Sequence, residues 1–472
     1  MDKEIISGLF LLIELVLCYG LAYYAYSREQ ISLSLGLIIL AGLSLRIFCA
    51  LDPMLHPWDE RFHALVAKNM MTDPFAPKLY SEHIFNYDYK NWTANKIWLH
   101  KQPLPLWTMA LSMKMFGISE ITLRIPSILL STLSIYLTFW IGRFLSGSVR
   151  VGLVAAFLLS INGLAIELAS GRISTDHVDT FFMFLITFSL FSILCNVKNG
   201  KMCWLVMAGI ACGLAILTKW LPGLIIFPLY LVLNFKNKKW TKQLVELGLM
   251  GLLMLMIAAP WQLYVQSSFP LEYGWEQHYN NLHLTEGLEG HGQPWWYFIN
   301  KIRITINELI YVVFGWFVYQ IFKTKSKEKE WWFLISWILI PFLIFSVAAT
   351  KMQGYLLFTF PAWFIIIGMF VENLITTKPG GGISKIIYRV MIGAIFVLAF
   401  RYGLERVKPF ENHLAERQLK KELTEKAYSK NSVIFNQAHS IEWMFYNNGL
   451  AYPIEPENGV VDSLMEAGWL VY

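Results

Sequence analysis

The feature that most constrains this chain is the recurrence of apolar windows about 20 residues long. A bilayer's hydrocarbon core is about 30 Å thick and an α-helix rises about 1.5 Å per residue, so each window has the length of one crossing. Lipid offers the backbone no hydrogen bonds, which makes helix the form such windows adopt. The windows are 5–26, 31–51, 121–141, 151–168, 180–195, 204–218, 222–235, 244–263, 306–322, 331–349, 355–373 and 386–401. Residues 105–116 read as a further, partly embedded helix. Composition agrees, with 56% hydrophobic and 15% charged residues and a mean hydropathy of +0.46. The expected fold is an all-α polytopic membrane protein of about 12–13 transmembrane helices. The first window lacks a small-residue cleavage site and reads as a retained span.

Charge fixes the expected orientation. If the connection after the second window faces outward, the inward connections are 27–30, 142–150, 196–203, 236–243, 323–330 and 374–385. These hold fifteen Lys or Arg against three acids, Glu29, Glu328 and Glu330. Such a bias is the mark of cytoplasmic loops, and it accounts for the net charge of +6 without any nucleic-acid partner. All ten histidines then fall on the outer side, with the long loops 52–120 and 264–305. The expected organisation is a transmembrane catalytic domain, 1–401, followed by a small outer α/β domain, 402–472. That tail opens with the charged helical stretch HLAERQLKKELTEKAYSK and continues with β-like runs at 432–435, 451–454 and 469–472. Gly380-Gly381-Gly382 reads as a flexible linker. The five cysteines lie in spans or at their ends and imply no disulfide framework.

Ionisable groups collect where the windows end on the outer side. Asp59 and Glu60 open a helical stretch, and acids there stabilise a helix N-terminus by up to about 1 kcal/mol. Capping alone would explain them. Asp176 and Asp179, in GRISTDHVDTFF, begin another span, and Arg172 stands just before it. Lys219 (LTKWLPG) and Lys351 (ATKMQGYLLF) sit between apolar runs, as snorkelling lysines do. Lys101 lies in the Pro-rich LHKQPLPLW, which restricts its freedom. Both signs gathered on one boundary suit a lipid-phosphate substrate better than isolated anchors do. Lysines would neutralise the phosphate, and a carboxylate would act as base or offset positive charge on a sugar ring. Asp59 and His63, at i and i+4, could share a divalent metal, although an exposed helix face explains the spacing equally.

With these residues in place, the chain resembles the GT-C glycosyltransferases that use polyprenyl-phosphate sugars. They include the protein O-mannosyltransferases and the lipid A aminoarabinose transferases. WDE (58–60) with HALVAKNM resembles the first-loop acidic motif, HKQPL (100–104) the HKPPL segment, and FGISEITLRIPS (116–127) the RLPS stretch. GRISTDHVDTFF resembles the second-loop Asp motif and LTKWLPG the TKGP turn. APW (259–261), EGHGQPWWYF (289–298) and KMQGYLLFTFPA (351–362) follow in family order. The resemblance implies a GT-C-like fold with outer-face juxtamembrane helices, and Asp59, Glu60 and Asp176 as catalytic-loop acids. It implies Lys101, Lys219 and Lys351 as donor-phosphate contacts, and His100, Arg172, Asp179, His291 and Tyr355 as cavity residues. Phe62 stands where many relatives have Arg, Gln102 where Pro is usual and Trp220 where Gly is usual. These departures tell against the aminoarabinose branch in particular.

The expected activity is an inverting transfer of a sugar from a polyprenyl-phosphate donor to a lipid, glycan or protein acceptor. It would take place at the outer face of a plasma membrane, and no nucleotide is needed. Two other classes share some of these features. A lipid-linked sugar transporter or flippase would place ionisable groups at mid-span or in repeated halves. An O-antigen ligase or polymerase would use similar donors with another motif order.

Overall fold

The computed structural model describes residues 3–82, 84–234, 239–323, 329–377 and 382–472. His83, most of the two basic loops around 235–238 and 324–328, and Gly380 and Gly381 lie outside the described residues. All twelve apolar windows contain helix. Among the described residues nine helices are long and apolar enough to cross a membrane, and two bent pairs bring the number to eleven. A shorter apolar helix, Leu221–Asn234, accounts for the twelfth window. The expected juxtamembrane helix is present as Pro103–Phe116, with Pro at its first turn, where a missing N–H costs nothing.

Two windows differ from straight spans. The one at 151–168 divides into Val149–Ile161 and Gly163–Ala169, bent by 54°. The one at 306–322 reduces to Ile310–Lys323, bent by 109° from Tyr297–Thr305. The first break has a visible solution to its loose carbonyls. Arg46, fully buried in the Ile31–Ala50 helix, donates to the carbonyls of Ser160 at 3.0 Å and Leu159 at 3.2 Å, and also to Gly42 O and Ser131 Oγ. A cation at a helix C-terminus meets the negative end of the dipole and satisfies groups that lipid would leave bare.

Large apolar side chains on the peripheral helices point outward, among them Phe10, Val16, Val245, Met256, Ile383 and Val390. The inner helices Glu120–Ser146 and Asp176–Asn199 are mostly buried and bring Ser and Thr side chains into their contacts.

The tail forms a three-stranded parallel sheet, Ser432–Ile434 between Leu450–Ala451 and Leu470–Val471, close to the three expected runs. The helix before it runs through residue 401 to Val407. Val433, Trp443 and Tyr452 of the tail share one apolar core with Phe62, Leu65 and Trp98 of the first outer loop. Lys68 Nζ donates to the carbonyls of Met444, Phe445 and Asn447 at 2.5–2.9 Å, closing the C-terminus of the Ser440–Tyr446 helix. The tail therefore backs the Asp59–Met70 helix.

Candidate active site

Three segments distant in sequence meet at the N-terminus of the Asp59–Met70 helix. Thr175 and Asp176 both have positive φ, +71° and +23°, an uncommon backbone for side-chain-bearing residues and one that costs about 1–3 kcal/mol each. The turn aims the Thr175 N–H at Asp59 Oδ2, 3.0 Å away, and the Thr175 hydroxyl at Asp179 Oδ2. Lys101 Nζ lies 3.5 Å from Asp59 Oδ2. Lys219 pairs with Asp179 and rests over the Tyr355 ring, 4.4 Å from its centroid. Gly354 admits this packing, because a side chain there would run into Asp179 and Thr175. Asp176 is fully buried, with His63 Nδ1 3.0 Å from Oδ1.

The charges are arranged to persist. Burial alone would raise the Asp59 carboxyl. Lys101, with His63, His100 and the Thr175 N–H, outweighs burial and holds it well below the usual carboxylate range. Burial would lower the Lys101 ammonium, but Asp59, Glu289, Asp176 and Glu276 raise it above its ordinary value. Both groups are charged at neutral pH. The pair can meet a substrate carrying a phosphate and a carbon centre that becomes positive.

Asp59, Lys101, Asp176, Asp179, Lys219 and Tyr355 are thus brought together. Other expected residues are engaged elsewhere. Glu60 is fully buried and grips Arg124 at 2.7 and 2.9 Å. It also accepts from the His56 N–H at 2.7 Å and lies 3.2 Å from His177 Nε2. Gly171, at φ +79°, leaves room for that carboxylate. Lys351 is buried and donates to Gln293 O at 2.7 Å and to Ala348 O. Arg172 forks onto Asp52 at 2.7 and 2.8 Å and donates to Val407 O at 2.8 Å. His100 stacks on Trp92, ring centroids 4.3 Å apart, with Nδ1 3.4 Å from Glu276 Oε2. His291 is held through its backbone carbonyl, which accepts from the Lys351 N–H at 3.0 Å.

The Asp59 and His63 side chains suggested as a metal pair by i, i+4 spacing each face another partner. Asp59 is turned to Lys101 and Thr175, and His63 to Asp176. Among the described residues no three His, Cys, Asp or Glu side chains form a metal-ligand group.

Sequence reasoning missed Arg124, Thr175 and Glu276. Glu276 is buried on the Pro270–Thr285 helix, and its carboxylate oxygens accept no hydrogen bond among the described residues. Its i, i+4 spacing from the equally buried Glu272 was the available signal.

Comparison with known proteins places this fold. Residues 100–264 match the family model described as dolichyl-phosphate-mannose-protein mannosyltransferase, a stretch that includes Lys101, Asp176, Asp179 and Lys219. ArnT from Cupriavidus metallidurans, crystallised with undecaprenyl phosphate, superposes with a TM-score of 0.66 at 16% identity, over 92% of this chain and 88% of that one. The fold is that of the GT-C glycosyltransferases. The Archaeoglobus fulgidus oligosaccharyltransferase shares this GT-C architecture at a TM-score of 0.57 and 12% identity, over 92% of this chain and 68% of its own. An undecaprenyl phosphate-alpha-4-amino-4-deoxy-L-arabinose arabinosyl transferase of Pseudomonas fluorescens is 26% identical over 53% of this chain and 46% of its own length. Its counterpart in Edwardsiella ictaluri is 25% identical over 57% and 49%. The chain spans about half the length of these curated GT-C relatives. Phe62, Gln102 and Trp220 therefore do not remove it from likeness to the aminoarabinose branch.

Proposed function

We propose that this multi-pass membrane protein moves a sugar from a polyprenyl-phosphate donor to an envelope acceptor, with inversion at the anomeric carbon. The observation that carries the reading is the Asp59–Lys101 pair, 3.5 Å apart at the meeting point of three loops. The donor phosphate binds Lys101, with Lys219 beside it, and the polyprenyl tail lies among the membrane helices. As the glycosidic C–O bond breaks, negative charge grows on the phosphate and positive charge on the ring. Lysine and carboxylate stand ready for each.

An efficient general base has a pKa near the working pH, whereas Asp59 is held far below it. Its role is therefore electrostatic, and the acceptor that suits the site is an already anionic oxygen such as a phosphate. The relatives' names, which specify undecaprenyl-phosphate-linked aminoarabinose, support a polyprenyl-phosphate donor here. Glu60 takes a positioning role, since its oxygens are committed to Arg124. The excess of Lys and Arg in the alternate connections supports a site at the outer face of a plasma membrane, periplasmic in an envelope with two membranes.

Envelope lipids and proteins from a deletion strain, analysed by mass spectrometry, test this reading. Loss of one sugar-bearing species is expected, restored by the wild-type chain and not by Asp59→Asn at equal abundance. Restoration by Asp59→Asn would reduce Asp59 to a helix cap.

A further inference from the structure

A cavity lies at the end of the helix bundle opposite the Asp59 cluster. Its volume is about 520 Å3, within the roughly 300–1,000 Å3 typical of ligand sites. Arg143, Lys198 and Lys329 line it, and among the described residues Glu330 is the one acid in its wall. Arg143 lies over the Trp140 ring at 5.2 Å and Lys198 over Phe144 at 4.5 Å. None of the three cations has a carboxylate within ion-pair distance among the described residues. The Trp140 indole N–H, which is buried, finds no hydrogen-bond acceptor there.

Helix lengths place this cavity one membrane thickness from Asp59. Arg124, which anchors Glu60, and Arg143 share the Glu120–Ser146 helix. At about 1.5 Å per residue they stand roughly 28 Å apart, close to the hydrocarbon thickness. Asp179 and Lys198 repeat the relation on the Asp176–Asn199 helix. Cations at this depth, above apolar walls such as Leu194 and Leu233, meet lipid phosphates rather than bulk solutes. Basic pockets between transmembrane helices on the cytoplasmic side hold anionic headgroups.

We infer that this cavity binds the headgroup of an anionic phospholipid from the leaflet opposite the Asp59 cluster. Arg143, Lys198 and Lys329 engage the phosphodiester. The site is distinct from the donor-phosphate site and does not depend on which reaction occurs there.

The test is native mass spectrometry of the full chain in neutral detergent, titrated with phosphatidylglycerol, phosphatidylcholine or inorganic phosphate. The wild-type chain is expected to retain one phosphatidylglycerol in preference to phosphatidylcholine. The R143Q/K198Q/K329Q variant should bind it about 100-fold less tightly, and R143K/K198R/K329R should recover it. K198Q alters one exposed side chain only, so it should fold even if the triple variant does not, and should show a partial loss of about 5-fold. Equal retention of the two lipids, undiminished phosphatidylglycerol binding in K198Q and the triple variant, or inorganic phosphate bound as tightly as the lipid would each overturn the proposal.

Discussion

At the residue scale, two neighbouring acids with the same outward look have opposite surroundings. Asp59 keeps an oxygen beside the Lys101 amine, whereas Glu60 spends both on Arg124. Removing one member of a fully buried pair strands the other, at a cost of about 3–5 kcal/mol. Glu60→Gln should therefore lower the melting temperature and membrane abundance along with activity, while Lys101→Met should lower activity at unchanged abundance. Thermal melting in detergent beside a transfer assay separates the two. Asp52 supplies a pH test. Burial would raise its carboxyl, but His56 and Arg172 hold it well below the usual range. It therefore binds its proton less tightly folded than unfolded. The stabilisation is complete above about pH 5 and drains as pH falls through 4 and below. Asp52→Asn should lower the melting temperature at pH 7, and by a smaller amount at pH 3, where part of the stabilisation has already drained. Trp220, at φ +63°, occupies backbone that favours glycine. Trp220→Gly should relieve strain of about 1–3 kcal/mol, less the packing of the indole, read as a neutral or raised melting temperature.

At the element scale, the spans were legible because hydropathy and helix length answer to the same bilayer thickness. Their breaks were not. Asn162 divides a span without a proline, and the signal that accompanies it, Arg46, lies more than a hundred residues upstream inside an apolar window. Arg46→Met should leave the Leu159 and Ser160 carbonyls without a partner and cost about 1–3 kcal/mol for each, measured as lost melting temperature. The outer acids were legible as a group, since charges at span ends stand out against an apolar background. Their division into Asp59, open to a substrate, and Glu60, committed to Arg124, depends on pairings 64 residues apart that no local pattern carries. Lys351 was misleading for a related reason. Its place between apolar runs matches that of Lys219, yet the carbonyls of Ala348, three residues before it, and of the distant Gln293 consume it.

At the scale of the whole molecule, the long inner helices carry the site at one end and a basic cavity at the other. The tail that shares its core with Phe62 and Trp98 holds the Asp59 helix. Deleting residues 408–472 should uncover that core and abolish transfer even where the spans still insert. Everything rests on Asp59 and Lys101 acting together on one lipid-linked sugar. The direct measurement is release of polyprenyl phosphate from a labelled polyprenyl-phosphate sugar by purified chain, with an envelope extract present to supply the acceptor, wild type against Asp59→Asn. The variant is expected to stay folded at a lowered melting temperature and to release product at least about 100-fold more slowly. Release at the wild-type rate by the folded variant would contradict the account.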